Sequence, residues 1–323
     1  MIVVTGGAGF IGSAVVWKLN NEGIDDILIV DNLGFSDKWR NLVDRRYAEY
    51  LHKDRFRTMV LEDRVPFPVE GIIHLGACSS TTERDAEYLM ENNYRYSRIL
   101  AEWAVKKGLR FVYASSAATY GDGSCGFADD DRTSRTLHPI NMYGYSKQLF
   151  DLWVLKNQLE RTLVGIKFFN VFGPNEYHKG DMRSVVHKSF GQIMETGKVR
   201  LFKSHRPHYG DGGQQRDFVY VKDCVDALWW LYEQRSVAGI FNLGTGCART
   251  WNDLVRAVFS ALNRDACIEY IDMPEAIRNQ YQYYTEASMN KLREVGYSPP
   301  FQSLEESVSD YVTNYLIPGD RTL

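Results

Sequence analysis

The chain has 323 residues, 44% of them hydrophobic and 24% charged, and its net charge is −3. That composition fits a folded enzyme of one large or two moderate domains and excludes both intrinsic disorder and a broadly basic nucleic-acid-binding surface. No apolar stretch approaches the ~20 residues of a membrane span, Met1 leads straight into apolar sequence, and the five cysteines form no Cys-x-x-Cys pair. The expectation is therefore a cytoplasmic protein with reduced thiols that binds neither membrane nor nucleic acid.

The run Ile2-Val3-Val4 predicts a first strand, and Ile11, Val15 and Leu19 at helical spacing predict the helix behind it. Between them Gly6, Gly9 and Gly12 recur every third residue, and 7–12 also satisfies Gly-x-Gly-x-x-Gly. Glycines in such a turn let backbone N–H groups approach a pyrophosphate at a helix N-terminus. A second strand at 27–30 ends in Asp31, where dinucleotide-binding folds place a carboxylate for the adenosine ribose. Further strands are predicted at 57–61, 71–75, 110–114 and 164–169, with helices between them such as 88–107. This alternation predicts an α/β fold: a Rossmann-type, doubly wound parallel sheet whose ligands lie beyond the carboxyl ends of the strands.

After residue 170 the rhythm changes. Residues 217–221 predict another strand, 223–234 an apolar helix that rejoins the sheet, and 242–246 a turn. The expected division is a dinucleotide-binding domain of 1–170 plus 217–247 and a smaller α/β substrate-binding domain of 171–216 plus 248–323.

Tyr143 and Lys147 stand four apart at the start of an amphipathic pattern, which puts both on one helix face. A phenol of ordinary pKa, near 10, is a poor base at neutral pH, and a neighbouring ammonium favours its phenolate. The pair can thus take a proton from an alcohol while hydride leaves the same carbon. Lys147 can also bond ribose hydroxyls. Ser116, on a small and polar strand end, can orient that alcohol, and Ser115 reads as its structural neighbour.

Thr5-Gly-Gly-Ala-Gly-Phe-Ile-Gly12, Ser115-Ser-Ala-Ala-Thr-Tyr-Gly121, Tyr143-x-x-x-Lys147 and Arg216-Asp-Phe-Val-Tyr-Val221 together resemble extended short-chain dehydrogenases/reductases that act on nucleotide sugars. His74-x-Gly-Ala-Cys-Ser-Ser-Thr-Thr-Glu83 and Phe169-Asn-Val-Phe-Gly-Pro-x-Glu-x-His-Lys-Gly180 are similar to the ADP-L-glycero-D-manno-heptose 6-epimerase family. The likeness runs from residue 1 to about 315.

That resemblance implies site residues. At the cofactor it places Gly6, Gly9, Phe10, Ile11 and Gly12 by the pyrophosphate and Asp31 and Asn32 by the ribose. It adds Leu75, Gly76, Ala77, Cys78, Ser79, Asn92 and Val171 along the strand ends. Lys38 and Lys53 match lysines near a 2′-phosphate, which favours NADP over the NAD that Asp31 alone suggests. At the substrate it places Ser79, Ser116, Asn170, Asp181, Lys188, Phe202, Lys203, Ser204, Arg216 and Tyr281. Arg216 would fork onto the diphosphate. Lys179 is implied both as a cofactor contact and as a second acid/base opposite Tyr143, with His178 as its rival.

The implied reaction interconverts ADP-D-glycero- and ADP-L-glycero-β-D-manno-heptose at C6″, for lipopolysaccharide core precursors, in a homo-oligomer that is a pentamer by resemblance. A hexose 4-epimerase of the same superfamily is the alternative. A 4,6-dehydratase is disfavoured, because Ala117 and Ala118 stand where that family has Asp-Glu. A cofactor-binding scaffold without turnover is disfavoured by the presence of Ser116, Tyr143 and Lys147 together. No metal is expected, since the histidines show no ligand spacing. Asp181, Lys188 and the long 205–215 segment depart from the family pattern.

Overall fold

The computed structural model describes residues 1–278 and 281–323. Its strands are β1 (Ile2–Thr5), β2 (Ile27–Asp31), β3 (Glu49–His52), β4 (Gly71–His74), β5 (Arg110–Ser116) and β6 (Val164–Phe168). They continue with β7 (Asn170–Phe172), β8 (Val199–Phe202), β9 (Gln215–Tyr220), β10 (Gly239–Leu243), β11 (Ala248–Thr250) and β12 (Ile268–Ile271).

Seven strands form one parallel sheet in the order β10-β6-β5-β4-β1-β2-β3. The chain winds one way from β1 to β3 and the other way from β4 outward, so the switch point lies between β1 and β4. A crevice opens there, beyond the carboxyl ends. Side chains of a strand alternate between faces. Ile2, Val4, Ile27 and Ile29 enter the core under the helices Phe10–Asn21 and Val221–Glu233, while Val3, Leu28 and Val30 enter the one under Lys53–Leu61, Tyr96–Lys107 and Met142–Lys156. Burial on both faces explains why these strands read as unbroken apolar runs.

Two expectations are corrected. Residues 57–61, predicted as a strand, belong to the helix Lys53–Leu61. Phe56 and Val60, its buried residues, are four apart and so follow the helical period. The true third strand, β3, lies upstream at the sheet edge and buries only Leu51, so it carries little apolar signal. Asn242 and Leu243, predicted as part of a turn, close β10, whose five residues are all buried.

β9 joins a separate three-stranded sheet, between β11 (antiparallel) and β7 (parallel). β8 pairs with β12. Among the described residues no helix is long and apolar enough to cross a membrane.

Candidate active site

The loop after β1 packs backbone against backbone. Gly6 has φ +68°, and a Cβ on it would sit 2.7 Å from the Gly76 nitrogen; a Cβ on Gly12 would run into the Gly6 carbonyl. The helix Phe10–Asn21 that follows has no side-chain cap and no acid in its first turn. Its first N–H groups therefore stay available to an anion, and the dipole favours one there. This cradle fits the pyrophosphate of a dinucleotide.

A cavity of ≈590 Å³ opens beside the cradle. Gly6, Gly9, Phe10, Ile11, Gly12, Leu75, Gly76, Ala77 and Ser79 line one end, and Ser116, Tyr143, Lys147, Asn170, Val171 and Lys179 line the other. A second cavity of ≈120 Å³ shares Asp31 and Lys38 with the first and adds Asn32, Lys53 and Asn92.

Both oxygens of Asp31 are engaged, Oδ1 twice and Oδ2 once. Oδ2 accepts the Ala8 N–H at 2.8 Å, and Oδ1 accepts the Asn32 N–H and the Lys38 ammonium, each at 2.7 Å. Lys53 donates to Asn92 Oδ1 at 2.6 Å.

A buried chain of hydrogen bonds sets the strand ends. Gly76 N–H donates to Thr5 Oγ1, which lies 2.6 Å from His74 Nδ1, and His74 Nε2 lies 2.8 Å from Ser97 Oγ. Burial pushes His74 down to about 3, so the ring is neutral at pH 7. Ser97 Oγ donates its only proton to the Asn93 carbonyl, so it accepts from His74 Nε2–H, and the Thr5 hydroxyl donates to Nδ1. Asn93 completes the frame from a π-helical turn, Met90–Arg95. Its amide donates to the Cys78 carbonyl and to Ser146 Oγ and accepts the Cys78 N–H. Cys78 is thereby held behind the cavity wall. Thr5, His74 and Cys78 stand in motifs of the sequence, but the network that joins them to Ser97, Asn93 and Ser146 carried no sequence signal.

Asn141 caps the helix Met142–Lys156, accepting the Gly144 N–H at 2.8 Å, and so aims Tyr143 and Lys147 into the cavity. Lys147 is buried and donates to the Ala114 carbonyl at 2.8 Å. Burial brings it down to about 8, opposed by Asp151 and Cys78. Burial also pushes the Tyr143 phenol up, and a hydrogen bond with Ser116 acts the other way. The group acting on the phenol is thus Ser116, whereas the sequence had pointed to the Lys147 ammonium. Ser115 is turned away, donating to Asp151 Oδ2 at 2.7 Å within a buried Lys167–Asp151 ion pair.

Lys179 reaches the cavity from the 3₁₀ segment Tyr177–Met182, on a different element from Tyr143. Its Nζ lies 5.2 Å from the centre of the Phe10 ring and makes no hydrogen bond or ion pair among the described residues. Burial lowers its pKa, and Glu176 raises it. His178 is pushed to about 4 by burial, then by Lys38 and Lys179, and its Nδ1 lies 3.4 Å from the Asn41 amide nitrogen. Lys179 therefore presents the freer proton-carrying group.

Arg216 is buried and has no carboxylate partner among the described residues. It donates to the carbonyls of Gln215 and Gln282, with its guanidinium over Trp251 (5.7 Å) and Tyr281 (5.3 Å). Tyr281 accepts from Trp251 Nε1 at 2.9 Å and meets Phe202 edge-on. Trp251, which no sequence signal singled out, also lines the large cavity and joins this cluster to it. Lys203 pairs with Asp272 at 3.2 Å, and Ser204 bonds within its own loop to Asp211 and Arg206. Asp181 and Lys188 are exposed, the Lys188 ammonium donates to the Asp181 backbone carbonyl at 2.6 Å, and neither lines the cavity.

Residues 2–244 match the model of the NAD dependent epimerase/dehydratase family. The chain belongs to that family. Within it, the chain is 60% identical over 320 residues, 99% of each chain, to the ADP-L-glycero-D-manno-heptose-6-epimerase of Nitratidesulfovibrio vulgaris strain DP4. It is 48% identical to the enzyme of that name from Fusobacterium nucleatum, covering 100% of both. Among solved structures it is similar to the ADP-L-glycero-D-manno-heptose-6-epimerase of Helicobacter pylori: TM-score 0.80, 28% identity, covering 97% of this chain and 95% of that one. The doubly wound sheet of this epimerase/dehydratase-family chain is thus shared with an enzyme of much lower identity.

Proposed function

We propose that this chain is an isomerase that interconverts ADP-D-glycero- and ADP-L-glycero-β-D-manno-heptose at C6″. The observation that carries the reading is that Tyr143 and Lys179 reach one cavity from separate elements. Oxidation followed by reduction on the opposite face leaves the hydroxyl oxygen in two different places, and two proton-transfer groups serve the two places. The relatives bearing that enzyme name, near full length, support the substrate.

Tyr143 takes the C6″ hydroxyl proton while Ser116 bonds the same oxygen. When bound, the nicotinamide cofactor supplies a hydride acceptor that is positively charged in its oxidised form. Because C6″ is exocyclic, rotation about C5″–C6″ turns the other face without turning the ring. Lys179 then serves the epimer whose oxygen points its way. Arg216, with Phe202, Lys203, Ser204 and Tyr281, would hold the nucleotide diphosphate. Ser79 and Asn170 would contact the substrate, whereas Asp181 and Lys188, outside the cavity lining, would not.

The cofactor would rest on Gly6, Gly9, Phe10, Ile11 and Gly12, with Asp31, Asn32, Lys38, Lys53, Leu75 to Ser79, Asn92, Lys147, Val171 and Lys179 along its length. NADP is the form this reading favours. Asp31 alone would repel a 2′-phosphate, but Lys38 neutralises it and Lys53 lines the same small cavity. Lys38→Ala with Lys53→Ala should therefore bring the Kd for NADP up toward that for NAD. A Kd for NAD at or below that for NADP in the unaltered protein would contradict this choice.

The reading also carries the two-segment division, with 171–216 and 248–323 serving the substrate. It includes a pentameric homo-oligomer, measurable by light scattering, and a cytoplasmic role in lipopolysaccharide core precursor synthesis.

The direct test is incubation of purified protein with either ADP-heptose epimer, followed by NMR. A mixture of both epimers, without stoichiometric use of added nicotinamide, is expected. No conversion of either, alongside C4 epimerisation of a hexose nucleotide, would move the assignment to the 4-epimerase class.

A further inference from the structure

Glu176 stands three residues before Lys179 and is 0% exposed. It makes no ion pair among the described residues. A buried carboxylate without a cation must be satisfied by hydrogen bonds. Oε1 accepts from Ser184 Oγ at 2.6 Å, from Tyr311 Oη at 3.0 Å and, at a long 3.5 Å, from the Gly173 N–H. Oε2 accepts the Ser184 N–H.

Gly173 and Ser184 are the two ends of the segment that carries His178 and Lys179. One carboxylate thus closes that segment into a ring, and Tyr311, from the helix Leu304–Tyr311, ties the ring to the C-terminal part of the chain. The segment turns sharply within the ring: Asn175 and Gly180 have φ +77° and +54°, which asparagine and glycine adopt more readily than other residues. Inside the ring the Lys179 N–H donates to the Glu176 carbonyl at 3.0 Å, so the backbone beneath Lys179 is built on the stapled residue itself.

We propose that Glu176 is a positioning residue: its carboxylate clamps 173–184 so that the Lys179 ammonium faces the cavity opposite Tyr143. This rests on the reading of Lys179 as the second acid/base. Glutamine weakens the clamp. In one orientation its NH₂ group meets the Ser184 N–H, a donor only; in the other it gives up the long Gly173 contact and turns the Ser184 and Tyr311 hydroxyls from donors into acceptors.

The test compares Glu176→Gln, Tyr311→Phe, Lys179→Met and the double variant Glu176→Gln/Lys179→Met. Each is assayed for kcat and KM with the heptose nucleotide, for bound cofactor released on denaturation, and for Tm. Glu176→Gln should lower kcat by about 10- to 100-fold, the scale of a misplaced catalytic group, with cofactor content unchanged and KM little altered. Tyr311→Phe, which keeps the carboxylate, should show a smaller fall in the same sense and reports on the clamp even if Glu176→Gln fails to fold. The double variant should be no slower than Lys179→Met alone, because the clamp acts only through that side chain. If Lys179→Met disables the enzyme while Glu176→Gln and Tyr311→Phe keep full kcat, the clamp is wrong and the acid/base role stands. Additive losses in the double variant have the same meaning. Near-full activity in Lys179→Met overturns both readings.

Discussion

Tyr143→Phe should lower kcat by at least about 10²-fold, the usual scale for a positioned general acid–base, while bound cofactor is retained. Phenylalanine fills the same space on the capped helix Met142–Lys156, so Lys147 keeps its bond to the Ala114 carbonyl and the cavity keeps its shape. Only the exchangeable proton is lost. Burial pushes the phenol up and the Ser116 hydrogen bond opposes it, so Ser116 favours the phenolate that takes the proton. Losing Ser116, by Ser116→Ala, should then hurt less than losing the phenol. Steady-state kinetics in both epimer directions, with cofactor content as the control, check this. A Tyr143→Phe variant within a few-fold of the unaltered protein would remove the tyrosine from the proton path.

Lys179→Met should cost a comparable factor, again at least about 10²-fold. Methionine keeps the apolar stem over Phe10 and removes the ammonium, whose Nζ otherwise lies 5.2 Å from that ring with no hydrogen-bond or ion-pair partner among the described residues. Burial lowers the pKa of that ammonium, opposed by Glu176, which eases release of its proton. His178 should not rescue the variant. It sits near 4, and its Nδ1 faces Asn41. Near-full epimerisation by Lys179→Met would pass the second role to His178 or to water.

How much of this could be read from the chain depends on how local each signal is. β1, β2 and β4 declared themselves because both faces of the sheet are covered, which makes their sequences continuously apolar. β3 did not, because an edge strand with one buried residue has no such run, and the helix beside it borrowed the assignment. The Gly6–Gly12 turn and the Tyr143–Lys147 pair are legible for the same reason: each is complete within one turn of chain. The positions of Arg216 and Lys179 were reached only through resemblance to a family. Glu176 and His74 stand inside the motifs that carry the resemblance, but their roles, and that of Trp251, were beyond reach. Glu176 meets Tyr311 across 135 residues and His74 meets Thr5 across 69, and no periodicity encodes such a meeting. The phenol's partner shows the same limit. Spacing brought Lys147 to the face of Tyr143, but the Ala114 carbonyl, from a neighbouring strand, holds the ammonium.

The central claim is that hydrogen leaves C6″ and returns to it inside a closed site, with Tyr143 and Lys179 handling only the oxygen-bound proton. Epimerisation run in heavy water decides this. The product should carry no deuterium at C6″ or at C5″, because the hydrogen removed from carbon never becomes acidic and never meets solvent. Proton abstraction beside a carbonyl, the other route between epimers, draws its returning hydrogen from water. Mass spectrometry showing one deuterium fixed on carbon per turnover would contradict the account, even with the substrate correctly assigned.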